Sequence, residues 1–136
     1  MYSNTNQFFY LAKERIKKSF SVLFALRSTA VYLGSAACLQ AGAWAFAWYI
    51  RYRLGDELLI LHNNPYFGID WIASAGQIFI IPAWSTAFLL IGFILSLVMV
   101  KRGPERFFTN FLMGATVLVS AFSLLGLFFI YLINFH

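Results

Sequence analysis

The sequence predicts an all-α, polytopic membrane protein with three transmembrane helices and an N-terminal amphipathic helix at the membrane interface. Three apolar runs, residues 28–50, 79–100 and 107–134, contain no Lys, Arg, Asp, Glu or His. Because a hydrocarbon core of about 30 Å needs about 20 helical residues, each run is long enough to cross the membrane once. Composition agrees, with 61% hydrophobic and only 11% charged residues, where a soluble domain carries about 25% charged residues.

The basic residues lie next to the ends of the predicted spans and form no separate basic domain, so the net charge of +5 does not predict a nucleic-acid partner. Cys38 is the only cysteine and lies within the first apolar run. An intrachain disulfide is therefore excluded. The partners that the sequence predicts are the lipid bilayer and other membrane subunits, or further copies of the chain itself.

Lys and Arg are distributed unequally between the two sides of the predicted spans. Most precede the first span or lie between the second and third, and only two follow the first: Lys13, Arg15, Lys17, Lys18, Arg27, Lys101, Arg102 and Arg106 against Arg51 and Arg53. Because cytoplasmic loops carry the excess of basic residues, we expect a multi-pass protein of the cytoplasmic (inner) membrane, with the N-terminus inside and the C-terminus outside. The loop 51–78 is then the outer loop. The four tryptophans, Trp44, Trp48, Trp71 and Trp84, cluster near this predicted outer interface, where amphipathic rings settle.

Residues 1–27 are predicted to form a basic amphipathic interfacial helix, followed by a three-helix transmembrane domain over 28–134. Apolar residues recur at three- and four-residue spacing, and Lys17 and Lys18 fall on the opposite face: Phe9, Ala12, Ile16, Phe20 and Leu23. Such a helix would lie in the headgroup layer, attracted by anionic lipid. Two alternatives remain open, a helix continuous with the first span and a helix that docks on a partner subunit.

Small residues in the first span predict a face for close helix packing. Gly34, Cys38 and Gly42 form one stripe, and Ala41 and Ala45 belong to an adjoining one that begins at Ala37, with Gln40 beside them as a hydrogen-bonding group. Within a bilayer, helices associate through such small residues and occasional polar side chains. The stripe predicts packing either within this chain or against another copy or another protein.

Pro82 lies near the start of the second apolar run and allows two interpretations. A proline in the first helical turn costs nothing, because its missing N–H would have no intrahelical partner there. If the helix instead begins near Ser74, Pro82 marks a kink.

The outer loop holds the candidate chemistry. Gly55 and Asp56 predict a turn, residues 58–61 a short extended run, and residues 63–65 a second turn. Asp56, Glu57, His62, Asp70 and the terminal His136 share this side, but their spacing matches no metal motif. Neither histidine lies within a span, so a haem held between transmembrane histidines is not expected. We therefore predict no metal and no cofactor, and a loop whose polar side chains bond its own backbone.

Part of this loop resembles a known group of proteins. Leu54-Gly-Asp-Glu, then Leu61-His-Asn-Asn-Pro-Tyr-Phe-Gly-Ile-Asp-Trp71-Ile, and finally Ile80-Ile-Pro82 are similar to a segment of small uncharacterised bacterial membrane proteins found in candidate-phylum bacteria. Their pattern is Leu-His-Tyr-Asn-x-Tyr-Phe-Gly-x-Asp-x-Ile-Gly ahead of an apolar helix with an early proline. This chain departs from it at Asn63, where the group has tyrosine, and at Ala73, where it has glycine. The resemblance covers residues 54–134 and implies no activity, but it does imply that one set of residues matters together, as ligand-binding or loop-organising residues: His62, Asn64, Tyr66, Gly68 and Asp70.

Three functions are compatible with these features. We favour a non-enzymatic structural or accessory subunit of a membrane assembly, because ion and proton pathways generally need ionisable groups at membrane depth and these spans have none. A channel or transporter component would have to be a homo-oligomer lined by Ser, Thr and Gln. An outer-face enzyme acting on a lipid-linked substrate would use His62 as base, with Asp70 orienting it.

The predicted orientation can be tested by cysteine labelling in a Cys38→Ser background. We expect an impermeant thiol reagent, added to intact cells, to label a cysteine placed at Asn64 and to leave one placed at Ser3 unlabelled. The reverse pattern would refute the orientation.

Overall fold

A computed structural model describes residues 3–25, 27–55, 57–64, 68–99 and 106–135. Its elements in chain order are helices α1 (Ser3–Ala25) and α2 (Arg27–Leu54), strands β1 (Leu58–Asn64) and β2 (Gly68–Ser74), a short 3₁₀ helix (Ala75–Phe79), and helices α3 (Ile80–Met99) and α4 (Arg106–Phe135).

Three segments of this structure are long and apolar enough to cross a membrane: Arg27–Leu54, Ala75–Met99 and Phe107–Phe135. The predicted class, an all-α protein with three spans, is confirmed. The first span continues past the predicted end at residue 50, so Arg51 and Arg53 lie in the last turn of α2 and not in a loop. Basic side chains interact favourably with the carbonyl end of a helix. Gly55, with a φ of 62°, then provides the left-handed residue that commonly ends one.

The segment between the first two spans contains an antiparallel β-hairpin that the sequence analysis did not predict. Residues 58–61, predicted to be extended, are part of β1, but the second predicted turn is wrong at its first two residues. Asn63 and Asn64 are strand residues and lie opposite Ile69 and Gly68. Strand pairing satisfies their backbone groups in place of a turn. The remaining residue of that predicted turn, Pro65, lies outside the described residues, as does Asp56 of the first.

Helices α1 and α2 do not lie on one straight axis. The rings of Phe20 and Phe93 make an edge-to-face contact at 5.6 Å, and Leu23 is fully buried. α3 runs antiparallel to α2, since Gln40 bonds Ser85 while Trp48, further along α2, contacts Phe79. Phe93 is thus level with the first two turns of α2, and a straight continuation would place Phe20 about 18 Å beyond it, at about 1.5 Å per residue. The contact with Phe93 therefore places α1 beside α3 and counts against the continuous-helix alternative, and the interfacial position of α1 stays a prediction.

The buried apolar core lies at the end of the helices that carries the hairpin. Its members come from α2, β1, the 3₁₀ helix and α4: Ala43, Ala47, Ile50, Leu54, Leu59, Ala75, Ile78, Leu127 and Ile130. α4 runs parallel to α2, because Ser28 bonds Asn110 at one end and Arg53 covers the ring of Phe135 at the other. The hairpin is thus packed onto the helix ends through Leu59.

Helices α3 and α4 approach each other closely at Gly92. A Cβ atom built on Gly92 would overlap the Cγ2 atom of Thr116. The Thr116 hydroxyl donates to the Met113 carbonyl at 2.7 Å, which holds the rotamer of this β-branched side chain. Ser96, one turn further along α3, is also fully buried. These two small residues allow the close approach that stabilises helix pairs in membranes.

Replacing Gly92 with Ala should therefore destabilise the protein. Alanine normally favours a helix by about 1 kcal/mol over glycine, but here the methyl group overpacks the contact with Thr116, at a typical cost of about 1–3 kcal/mol. Thermal unfolding in nanodiscs would show a lower Tm. The matched control is Gly114→Ala in α4, where a Cβ meets no atom within 4 Å; an equal effect of the two substitutions would contradict the close approach.

Candidate functional site

Gln40, in the middle of α2, is the centre of a hydrogen-bonded network between α2 and α3. Its side chain is only 6% exposed. The Nε2 atom donates to the carbonyl of Pro82 and to the Thr86 hydroxyl, each at 2.6 Å. The Oε1 atom accepts from the Ser85 hydroxyl at 2.8 Å. The carboxamide uses both of its N–H donors, and its oxygen is engaged as an acceptor.

The first turns of α3 supply all partners of this carboxamide. Pro82 lies in the first turn of α3, which begins at Ile80, but the 3₁₀ helix from Ala75 leads directly into α3, so the span begins near Ser74 and each of the two interpretations holds in part. The Thr86 hydroxyl donates to the Pro82 carbonyl at 2.7 Å and accepts from Gln40 and from Trp44 Nε1, the latter at 3.0 Å. One donated and two accepted bonds exhaust a hydroxyl. Every polar group at this contact is therefore engaged.

A second amide joins the end of α4 to the hairpin. Asn134 Nδ2 donates to the Ile60 carbonyl at 2.8 Å, and the Ile60 N–H donates to Asn134 Oδ1 at 2.9 Å. Nδ2 also donates to the Ile130 carbonyl within α4 at 2.8 Å. The planar side-chain amide thus presents to Ile60 the donor and acceptor that a neighbouring strand would present. We call this pairing the Asn134 clamp.

Aromatic rings surround α2 at the hairpin end. Phe79 contacts both Trp44 and Trp48, with centroids 6.0 and 5.9 Å away, while Tyr131 contacts Phe46 and Tyr49 on another face. An open cavity of about 400 Å³ lies beside Trp48 and Arg51. All four tryptophans are exposed, as side chains in a membrane interface would be.

The predicted loop residues fall within the hairpin. His62 and Asn64 belong to β1 and Gly68 and Asp70 to β2, and the register places Asn64 opposite Gly68 and His62 opposite Trp71. The backbone therefore places these four positions in one hairpin. The side chains of His62, Asn64 and Asp70, and the whole of Tyr66, lie outside the described residues. Their role in ligand binding or loop organisation stays a prediction.

The predicted helix-association stripe faces away from the other helices of this chain. Gly34, Cys38, Ala41 and Ala45 are exposed and Gly42 is half-buried, and Cβ atoms built on Gly34 and Gly42 meet no atom within 4 Å. α2 instead buries a different face: Thr29, Ala36, Gln40, Ala43, Ala47, Ile50 and Leu54. Packing of the stripe against another copy or another protein stays a prediction.

Ser85, Thr86 and the clamp were not identified from the sequence. The early proline and Gln40 were recognised there. The signal that could have connected Gln40 with Ser85 and Thr86 is an amide in one span together with hydroxyl residues in the next. No comparable signal connects Asn134 with Ile60, because a backbone partner has no sequence signature.

Within the described part of the chain, no group of three or more His, Cys, Asp or Glu residues could hold a metal ion. No protein-family model matches the chain, and neither a curated protein nor a solved structure shows significant similarity to it. The fold and its spans define a multi-pass membrane protein. The resemblance of its loop to small bacterial membrane proteins stays a prediction.

Replacing Gln40 with Leu tests the network. Leucine has a similar size but leaves the Ser85 hydroxyl without its acceptor inside the membrane, so we expect a loss of about 1–2 kcal/mol in stability. Thermal unfolding in nanodiscs would report it as a lower Tm. Gln77→Leu is the control, because Gln77 is exposed. A Gln40→Leu variant as stable as the parent would show that the network contributes nothing.

Proposed function

We propose that this protein is a non-enzymatic subunit or accessory protein of an assembly in the cytoplasmic membrane, with α1 inside and the hairpin outside. The observation that carries the proposal is the stripe of small residues on α2, of which the described part of the chain leaves Gly34, Cys38, Ala41 and Ala45 exposed. Close helix packing is the use that membrane proteins make of such residues.

The amide side chains of the spans support assembly over transport. Gln40, Asn110 and Asn134 each bond within the chain, and Gln77 is exposed in the 3₁₀ helix at the start of the second span. A homo-oligomeric channel would need polar side chains directed at a pore, and the three bonded amides are occupied. The channel or transporter component therefore remains the second candidate, with only Ser and Thr hydroxyls to line a path. An outer-face enzyme would depend on His62 and Asp70.

The placement of α1 fits an anchor on the inner surface. Its last turns pack on the helix bundle through Phe20 and Leu23, while Lys13, Lys17 and Lys18 are exposed. Each basic residue near an anionic leaflet contributes about 1 kcal/mol of attraction. The helix would thus lie along the headgroups with its C-terminal end attached to α3.

The proposal is tested by purifying the protein in nanodiscs from its native membrane and measuring the mass of everything that stays bound. We expect a stoichiometric protein partner or a defined oligomer. Gly42→Leu should abolish that association while leaving the fold intact, because the added side chain enters open space within this chain.

Gly126→Leu in α4 is the matched control, since a Cβ there also meets no atom within 4 Å. Retention of a lipid or metal with no protein would contradict the accessory role. If Gly42→Leu and Gly126→Leu both assembled like the parent, α2 would not be the association face.

A further inference from the structure

The two edges of the hairpin are not equivalent, and the Asn134 clamp determines which backbone groups each edge presents. In an antiparallel pair, the N–H and C=O of a residue point to the same side, alternately toward and away from the partner strand. Both groups of Ile60 bond Asn134, so they point away from β2. Ile60 lies opposite Ile72. The N–H and C=O of Ile72 must therefore point away from β1, to the far edge of β2.

This far edge is open. The Ile72 side chain is 52% exposed and Ser74 is exposed as well. Among the described residues, none outside β1 forms a strand beside β2. The clamp occupies the backbone groups of Ile60 at the other edge, whereas those of Ile72 remain for an added strand.

An apolar surface lies beside the open edge. The register pairs Leu58 with Ser74 and Ile60 with Ile72 on one face of the sheet, and Leu59 with Ala73 on the other. The second face is buried against the helices, whereas Leu58 on the first is 68% exposed. Lysine and proline, which often protect edge strands, are absent from the sequence of β2. Main-chain groups next to exposed apolar side chains are what an added strand requires.

The charged residues of the hairpin segment indicate what kind of strand would bind at this edge. Residues 56–74 contain Asp56, Glu57 and Asp70, three of the five acidic residues of the chain, and no Lys or Arg. Two copies paired edge to edge would bring these acidic segments together. A strand carrying basic residues would be attracted instead.

We propose that the edge of β2 at Ile72 is a docking site for an extended segment of a partner protein, with apolar residues at alternate positions and Lys or Arg at its ends. This inference rests on the proposed role as an assembly subunit and names the surface and the kind of segment it takes. The added strand pairs with the Ile72 backbone and covers Leu58 and Ile72.

The test uses the full chain in nanodiscs and a synthetic peptide, Lys-Val-Thr-Val-Thr-Val-Lys, as probe. We expect the peptide to slow hydrogen exchange at the Ile72 amide while the Ile60 amide, already bonded to Asn134, is unchanged. A peptide with Glu at both ends, and one N-methylated at alternate residues, should not bind. Ile72→Pro should weaken binding at least tenfold, because it removes the edge N–H, whereas Ile72→Val should bind like the parent.

Proline at an outward-facing edge position removes no ladder bond, and continued protection of the Ile60 amide would show that the hairpin of Ile72→Pro is intact. If that protection were lost, the N-methylated peptide would provide the test instead. Binding of this peptide as tight as that of the unmodified peptide would overturn the proposal. Protection of the Ile72 amide from exchange in the absence of peptide would also overturn the proposal. It would show that the edge is paired either within the chain or, where the protection depends on protein concentration, with a second copy. A stoichiometric native partner retained equally by Ile72→Pro would overturn the edge proposal and leave the accessory function standing.

Discussion

A carboxamide inside a bilayer must find all of its hydrogen bonds within the protein, because hydrocarbon offers none. Gln40 meets this requirement entirely through α3, and the requirement fixes how the first two spans lie against each other. Only one axial position of α3 brings the Pro82 carbonyl, the Ser85 hydroxyl and the Thr86 hydroxyl to the same side chain. A shift by one helical turn, about 5.4 Å, would leave the amide unpaired.

The remaining contacts follow from that alignment. α3 packs against α4 at Gly92, where steric fit and not hydrogen bonding determines the contact. α2 packs against α4 through alanines and through aromatic rings at the hairpin end. Hydrogen bonds therefore align α2 with α3 through Gln40 and connect α2 with α4 at Ser28 and Asn110, whereas steric complementarity determines the fit of α3 to α4.

The spans could be predicted from sequence because a membrane imposes a length and excludes charge, and both properties are local. Gln40 and Pro82 were also visible, since each is unusual in its immediate surroundings. The hairpin was not, because residues 58–61 alone do not reveal the partner strand, and Asn63 and Asn64 favour turns by their intrinsic preference. The edge at Ile72 depends on the register and on Asn134, two features that only the folded chain brings together.

The Asn134 clamp also determines when the hairpin can reach its final structure during synthesis. Ile60 and Asn134 are separated by 74 positions in the chain, and at about 5–20 residues per second a ribosome needs about 4–15 s to synthesise that interval. Throughout this time the hairpin has two unpaired edges. The bonds between Ile60 and Asn134 form only after α4 has entered the membrane, so the hairpin reaches its final form no earlier than the third described span.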